Sequence, residues 1–451
     1  MSTRFLCVGH LRVAFFFNSQ ICSFKINQIT IRKHLGNINT SYLQRQKLKM
    51  IVMRLSQVCL LGLSLFLFSP LNGQTLNDQK FGKGLLNFTA ADSSFTVKFA
   101  PRIQTRFQSA WSHDGDTYGE GEYNFLVRRA RFKFDGWAYS PKLRYKLELG
   151  LSNRDISGAS QYNRNTPRYI LDAVVMWNFA PGFELWAGQT KLPGNIERVV
   201  SSGNLQLIDR SILNSKFNID RDMGIQLRYK HKIGQMLVRE KLALSQGEGR
   251  NITEGNLGGL QYTSRLELLP FGAFAKKGDY SQSDLVREAD LKLMLAATYD
   301  LNQNAVKNRS NMGSYMALDD GSLYQTDITT VFVDAMLKYR GFSIMAEYAN
   351  RKAEDPIALN SDGSTASIVQ VGNATNVQAS YLFKNNFEFT GRHSAITYDA
   401  VTGKGDQVVY TAGVSKYVVG HKLKIQSDLS LGQIDGNEDF IEFRLGFDLH
   451  F

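Results

Sequence analysis

The chain has 451 residues, 43% hydrophobic and 21% charged, with a formal net charge of +12. Residues 1–73 hold nine Lys/Arg, no Asp or Glu, and all three cysteines, leaving 44 basic against 41 acidic side chains in the remainder. The high charge therefore argues for no nucleic-acid partner, and a cysteine-free body needs neither disulfides nor thiolate chemistry.

Residues 1–49 carry no recognisable pattern and are expected to be an upstream extension from a misassigned start, with Met50 or Met53 the true first residue. Met53-Arg54, an apolar run from Val58 to Phe68 and the sequence Ser69-Pro70-Leu71-Asn72-Gly73 give residues 50–73 the form of a secretory signal peptide. Cleavage is expected after Gly73. The run is too short for a spanning helix, which needs about 20 residues. Residues 74–92 are expected to form a short periplasmic segment, and 93–451 a single β-domain.

In that domain, apolar/polar alternation read against turn chemistry predicts sixteen strands. They lie near 93–109, 123–138, 141–153, 167–180, 182–191, 221–232, 235–246, 257–268, 289–301, 327–340, 341–352, 373–385, 386–398, 406–418, 420–432 and 439–451. Tight connections at Ser140-Pro141, Pro181-Gly182, Ile233-Gly234, Arg340-Gly341, Lys384-Asn385-Asn386 and Val419-Gly420 alternate with long polar ones. The connection 269–288 is long where a tight turn is due, so a further short strand or helix could lie there. Aromatic residues gather at the tight turns: Trp177, Phe179, Phe183 and Trp186 around Pro181, and Tyr381, Phe383, Phe387 and Phe389 around Lys384. Rings at one level make an interfacial girdle.

The other face of the early strands is basic. Lys98, Arg102 and Arg106 alternate with Val97, Phe99, Ile103 and Phe107. Arg129, Arg131 and Lys133 oppose Leu126, Ala130, Phe132 and Phe134, while Arg128 has lipid-side parity and is expected near an interface. Lys142, Arg144 and Lys146 alternate with Leu143, Tyr145 and Leu147; Arg228, Lys230 and Lys232 continue the theme. Cations two residues apart repel, so a water-filled lumen is their natural setting, where they would attract small anions. Alternatively they pair with carboxylates and hold the barrel shape. The loop 192–220 mixes apolar residues (Leu205, Leu207, Ile208, Ile212, Leu213) with Lys191, Arg198, Arg210, Lys216 and Arg221 around it. Such a loop is expected to fold into the lumen and narrow it. Glu197, Asp209, Asp220 and Asp222 balance its charge.

The last strand is the cleanest. Ile441, Phe443, Leu445, Phe447, Leu449 and Phe451 point one way; Glu442, Arg444, Gly446, Asp448 and His450 point the other. An even strand count, short turns alternating with long loops and an aromatic end predict an all-β fold, a transmembrane antiparallel β-barrel. Motifs for enzymatic metal or phosphate chemistry are missing from the sequence. His113, His231, His393, His421 and His450 are scattered and expected at the surface, and no cofactor is expected. Asp114, Asp116, Glu120 and Glu122 are expected to form a solvated acidic loop rather than a cation site.

Arg128-Arg129-Ala130-Arg131 followed by Gly136 resembles an early strand of the phosphate-selective porin O and P family. So do Leu171-Asp172-Ala173, Trp177 and Phe179, Gly188-Gln189-Thr190-Lys191-Leu192-Pro193, Glu197-Arg198, and Asp222-Met223-Gly224-Ile225-Gln226-Leu227. The leader ending Asn72-Gly73-Gln74 is similar to those of Bacteroidetes-type bacteria. The resemblance implies a sixteen-stranded, homotrimeric porin set in outer-membrane lipid and lipopolysaccharide. Its third external loop would constrict the lumen, and inorganic phosphate or other small anions would pass along an Arg/Lys ladder. The alternatives are a porin of weak or other selectivity, taking larger anionic nutrients, and a plugged structural or adhesive barrel.

Overall fold

The computed structural model describes residues 75–76, 80–113, 116–254 and 256–451. The leader, its cleavage point and Asp114 lie outside them. Sixteen antiparallel strands form the barrel. They are β1 Arg102–His113, β2 Glu122–Ala138, β3 Ser140–Gly150, β4 Ile170–Ala180, β5 Phe183–Lys191, β6 Arg221–Ile233, β7 Met236–Ser245 and β8 Gln261–Leu269. The second half comprises β9 Lys292–Ala305, β10 Thr326–Tyr339, β11 Phe342–Ala353, β12 Gly372–Leu382, β13 Phe387–Tyr398, β14 Gln407–Val419, β15 Leu423–Ile434 and β16 Asp439–His450. Each strand pairs with the next, and β16 pairs back onto β1 from Asp439↔His113 to His450↔Arg102. Closure leaves the barrel no free edge, which a wall in hydrocarbon requires because lipid cannot satisfy an exposed backbone.

Alternation sorts side chains between two environments. Phe447 is 51% exposed on the outer wall and its neighbour Asp448 only 1% exposed inside. Ile103, Val175, Leu227, Leu242, Leu295, Val333 and Leu429 likewise give the exterior its apolar character. Around the short turns the rings touch: Phe183 stacks on Tyr229 at 4.1 Å, and Phe383 meets Phe389 edge-on at 5.7 Å. Trp186 departs from this belt. It pairs across the sheet with Gln226 on the inner face, and the Arg228 guanidinium lies 3.5 Å from its ring centroid.

Two local expectations need correction. The stretch 93–109 is not one strand: Thr96–Phe99 is separate, paired with Leu86–Thr89 and with the end of β2 at Lys98↔Asp135 and Phe99↔Phe134. Pro101 lacks the N–H donor that a continuous ladder would use there. Arg128 does not reach toward an interface. It is the extra residue of a β-bulge, since Gln104 pairs with Arg129 and Thr105 with Val127. The bulge turns both Arg128 and Arg129 inward and reverses parity before it, so Tyr123, Phe125 and Val127 are exposed outside rather than Leu126.

Gly188 and Gly224 are direct cross-strand partners between β5 and β6. A Cβ on Gly188 would stand 2.2 Å from the Ala173 carbonyl oxygen, and one on Gly224 2.1 Å from that of Leu244. Gly188 also has φ +123°, a conformation that costs another residue about 1–3 kcal/mol. Gly188→Ala is therefore expected to lower the fraction of protein migrating as folded barrel in unheated gel electrophoresis. A parental yield would show that the wall can relax there.

Candidate functional site

The third long loop, 192–220, turns into the lumen, as its apolar content requires. It carries three short helical pieces, Ile196–Val199, Ser202–Asn204 and Ile212–Phe217. Ser211 starts the last of them, its hydroxyl accepting the Asn214 N–H at 3.1 Å. Leu213, Phe217 and Ile219 bury themselves against Phe332 of β10, Ala349 of β11, Ala374 of β12 and Ile396 of β13. These strands place apolar residues at inward positions where the loop docks. Burial of each large apolar side chain contributes about 1.5–3 kcal/mol. Arg351 of β11 donates to the carbonyls of Lys216, Phe217 and Asn218 at the end of the last helix.

The loop leaves a cavity of about 920 Å³ beside β16 and β1–β7. Its lining runs from Ser157 and Arg168, in the long connection between β3 and β4, to Trp186 and Arg228 near the opposite, short-turn end. Seventeen Lys/Arg and six Asp/Glu line it.

The carboxylates are all engaged. Asp209, from the loop, binds three wall arginines: Arg128 at 2.6 Å, Arg129 at 3.2 Å and Arg106. Burial alone would raise its pKa, but Arg128 and Arg129 outweigh that and hold the carboxyl well below its ordinary range. Asp155 takes both ends of Arg131 at 2.8 and 2.9 Å. Glu148 joins Lys146 at 2.8 Å and Arg131 at 3.1 Å. Asp172 joins Lys146 at 2.8 Å and Arg221 at 3.1 Å. Asp220 binds Arg198, its carboxyl lowered against the effect of burial by Arg198 and Arg221. Glu442 binds Arg444 at 3.0 Å.

Eight lining cations, Arg154, Arg168, Lys191, Arg210, Lys216, Arg228, Arg250 and Arg309, have no described carboxylate within 4.0 Å. Several are held by neutral carbonyls instead. Lys191 donates to Arg198 O at 2.8 Å, and Arg210 to Glu197 O and Val200 O, both at 2.8 Å. Carbonyl partners fix such a group in place without cancelling its charge, so its field reaches the cavity.

The cations expected from the sequence divide accordingly. Arg106, Arg129, Arg131, Lys146 and Arg228 line the cavity, as do all five around the loop: Lys191, Arg198, Arg210, Lys216 and Arg221. Six lie elsewhere. Arg102 is buried, tying Asp448 of β16 at 2.7 Å and Ser202 of the loop at 2.7 Å to β1. Arg144 binds Glu184 at 2.9 Å, and Lys133 lies 3.4 Å from Asp135. Lys98 sits on the short strand outside the barrel ring, opposite Asp135, while Lys142 and Lys230 are exposed. Arg154, Arg168 and Arg250 lie in long connections without strand periodicity to reveal them, and Arg309 lies in the strand Lys307–Tyr315, whose sequence shows no apolar/polar alternation. Arg444 was legible on the polar face of the last strand. His421 is not at the surface: it is buried, 2.8 Å from the Ser281 hydroxyl.

Residues 97–438 match the family described as phosphate-selective porin O and P. Among curated proteins, none matches the chain. The chain is similar in fold to the outer membrane channel DcaP of Acinetobacter baumannii, at 12% identity and a TM-score of 0.50, over 79% of this chain and 98% of that one. An anion-selective porin from Comamonas acidovorans aligns at 12% identity and a TM-score of 0.49, over 79% of this chain and all of that one. OmpT of Vibrio cholerae, in its trimer form, aligns at 14% identity and a TM-score of 0.47 over 79% and 100%.

Proposed function

Because the chain belongs to the phosphate-selective porin O and P family, we propose that this outer-membrane porin passes small anions, inorganic phosphate foremost, by diffusion through the cationic cavity. One observation carries the reading: of the cavity's seventeen cations, eight have no described carboxylate within 4.0 Å. Fixed cations facing water beside a low-dielectric wall concentrate anions and offer them successive shallow sites. Arg154, Arg168, Arg250 and Arg309 would collect anions at the long-loop end; Lys191, Arg210 and Lys216 would carry them past the loop; Arg228 would serve the exit. A lumen narrowed by the loop packed against β10–β13 favours small solutes over large anionic nutrients. Arg102 and the carboxylate-bound arginines would serve mainly to hold loop and wall together.

Family membership is also the ground for expecting a homotrimer, with the long loops external and the short turns periplasmic. The pattern of residues 50–73 is the ground for expecting export through a signal peptide. In planar bilayers under a KCl gradient, the reversal potential is expected to have the sign of chloride preference, and added phosphate to reduce the chloride current. Cation preference would end the anion reading. Chloride current indifferent to phosphate would leave a weakly selective anion porin.

A further inference from the structure

Six of the seven connections at the short-turn end are tight, but β8 and β9 are joined by residues 270–291. A segment of that length is uncommon in a compact fold unless it has a task. It does not hang from the rim. It crosses the inside of the barrel, bound in turn by inward-facing groups of β7, β10 and β13. Arg239 of β7 holds Asp279 at 2.5 Å. The buried Lys338 of β10 donates to the carbonyls of Gly278, Ser281 and Ser283, each at 2.7 Å. Ser283 donates to Glu388 of β13 at 2.9 Å.

The segment also locks to the constricting loop. Gln282 N–H donates to Asn204 O at 3.0 Å, Gln206 N–H to the Gln282 side-chain oxygen at 2.9 Å, and the Asn204 amide to Tyr280 O at 3.1 Å. A buried network with this many hydrogen bonds holds its members in place. Of this segment, Tyr280 lines the cavity. Its hydroxyl accepts from Lys241 at 3.1 Å and Arg239 at 3.3 Å, which pins the ring. Trp186, Arg228 and Lys241 line the same end of the cavity, and Arg228 is near enough to Tyr280 to interact electrostatically with it.

We propose that the β8–β9 segment is a second constriction, in series with the 192–220 loop, and that Tyr280, held beside the Trp186–Arg228 pair by the cross-strand neighbour of Arg228, Lys241, sets the width of the exit. The inference rests on the lumen being a conduction path but not on its selectivity. Solutes would pass two narrowings, and Tyr280 would act by size while the cations upstream act by charge.

Residues 74–451 contain no cysteine, so Tyr280→Cys gives a single thiol for a bilayer test. The probe is the anionic reagent methanethiosulfonate ethylsulfonate; the thiolate attacks its thiol sulfur, forming a mixed disulfide and releasing sulfinate. Current is expected to fall about twofold or more on modification, since bulk and negative charge are added where anions must pass. Methyl methanethiosulfonate, small and neutral, should have less effect. Should Tyr280→Cys not assemble, Trp186→Cys probes the adjoining stretch of wall at the same end of the cavity and should be blocked likewise. Failure of the reagent to react, or complete reaction by mass with unchanged current, overturns the proposal. The parental reversal potential tests the anion reading separately, so the two can fail independently.

Discussion

Replacing Asp209 with Asn is expected to loosen the constricting loop and to raise anion preference at the same time. One carboxylate from the loop is shared by Arg106, Arg128 and Arg129. Two of these come from a bulge that turns consecutive residues inward, so three guanidinium groups crowd one spot, and among the described residues Asp209 is the one carboxylate within 4.0 Å of them. Removing one partner of a buried ion pair costs about 3–5 kcal/mol, because the charges left behind stay desolvated. The loop would not leave the lumen, since Leu213 and Phe217 remain packed in the wall and Lys424 still holds Leu205 O at 2.7 Å. The expected result is a lower temperature for loss of the folded gel band, noisier single-channel current, and a reversal potential further toward that of chloride. A variant as heat-resistant and as selective as the parent would mean that solvent or neighbouring carboxylates already neutralise the cluster.

The opposite change should follow from Lys191→Gln, Arg210→Gln and Lys216→Gln combined. Each removes a cation with no described carboxylate within 4.0 Å, while Gln retains hydrogen-bonding groups for the loop carbonyls that Lys191 and Arg210 now hold. At about 8 Å from a passing anion, one unit charge contributes roughly 0.5 kcal/mol in water and about 2 kcal/mol at an effective dielectric of 20. Three together should lower the anion-to-cation permeability ratio about tenfold or more, with less effect at high salt. Lys142→Gln, at an exposed position outside the cavity, is the control and should change little. If the control and the triple variant shift equally, selectivity would come from the protein's overall charge rather than from the cavity.

The strand count, the wall's two-faced character and the lumen-directed loop were legible in the sequence, because each follows from local pattern. Period-two alternation needs only nearest neighbours, and an apolar loop between polar-faced strands has nowhere dry to go but inward. Trp186 and Arg128 were misread for different reasons. Trp186 was grouped by its closeness to the short turn, whereas its parity within an unbroken register, alternating with Phe183 and Leu185, sets it inward. Parity counting failed for Arg128 because one bulge residue opposite Gln104 and Thr105 changes the face of everything beyond it.

The sequence by itself determined which residues are cationic and, over most strands, which side of the wall they occupy. Only the tertiary structure decided which of those charges remain uncancelled. Carboxylate partners come from positions far away in the chain: Asp209 for Arg106, Asp448 for Arg102. A charge's value to a passing ion depends on what stands within a few ångströms of it, and chain order carries no record of that distance. The placement of residues 270–291 across the lumen has the same origin. Their anchors, Arg239, Lys338 and Glu388, lie on separate strands and converge only when the cylinder closes.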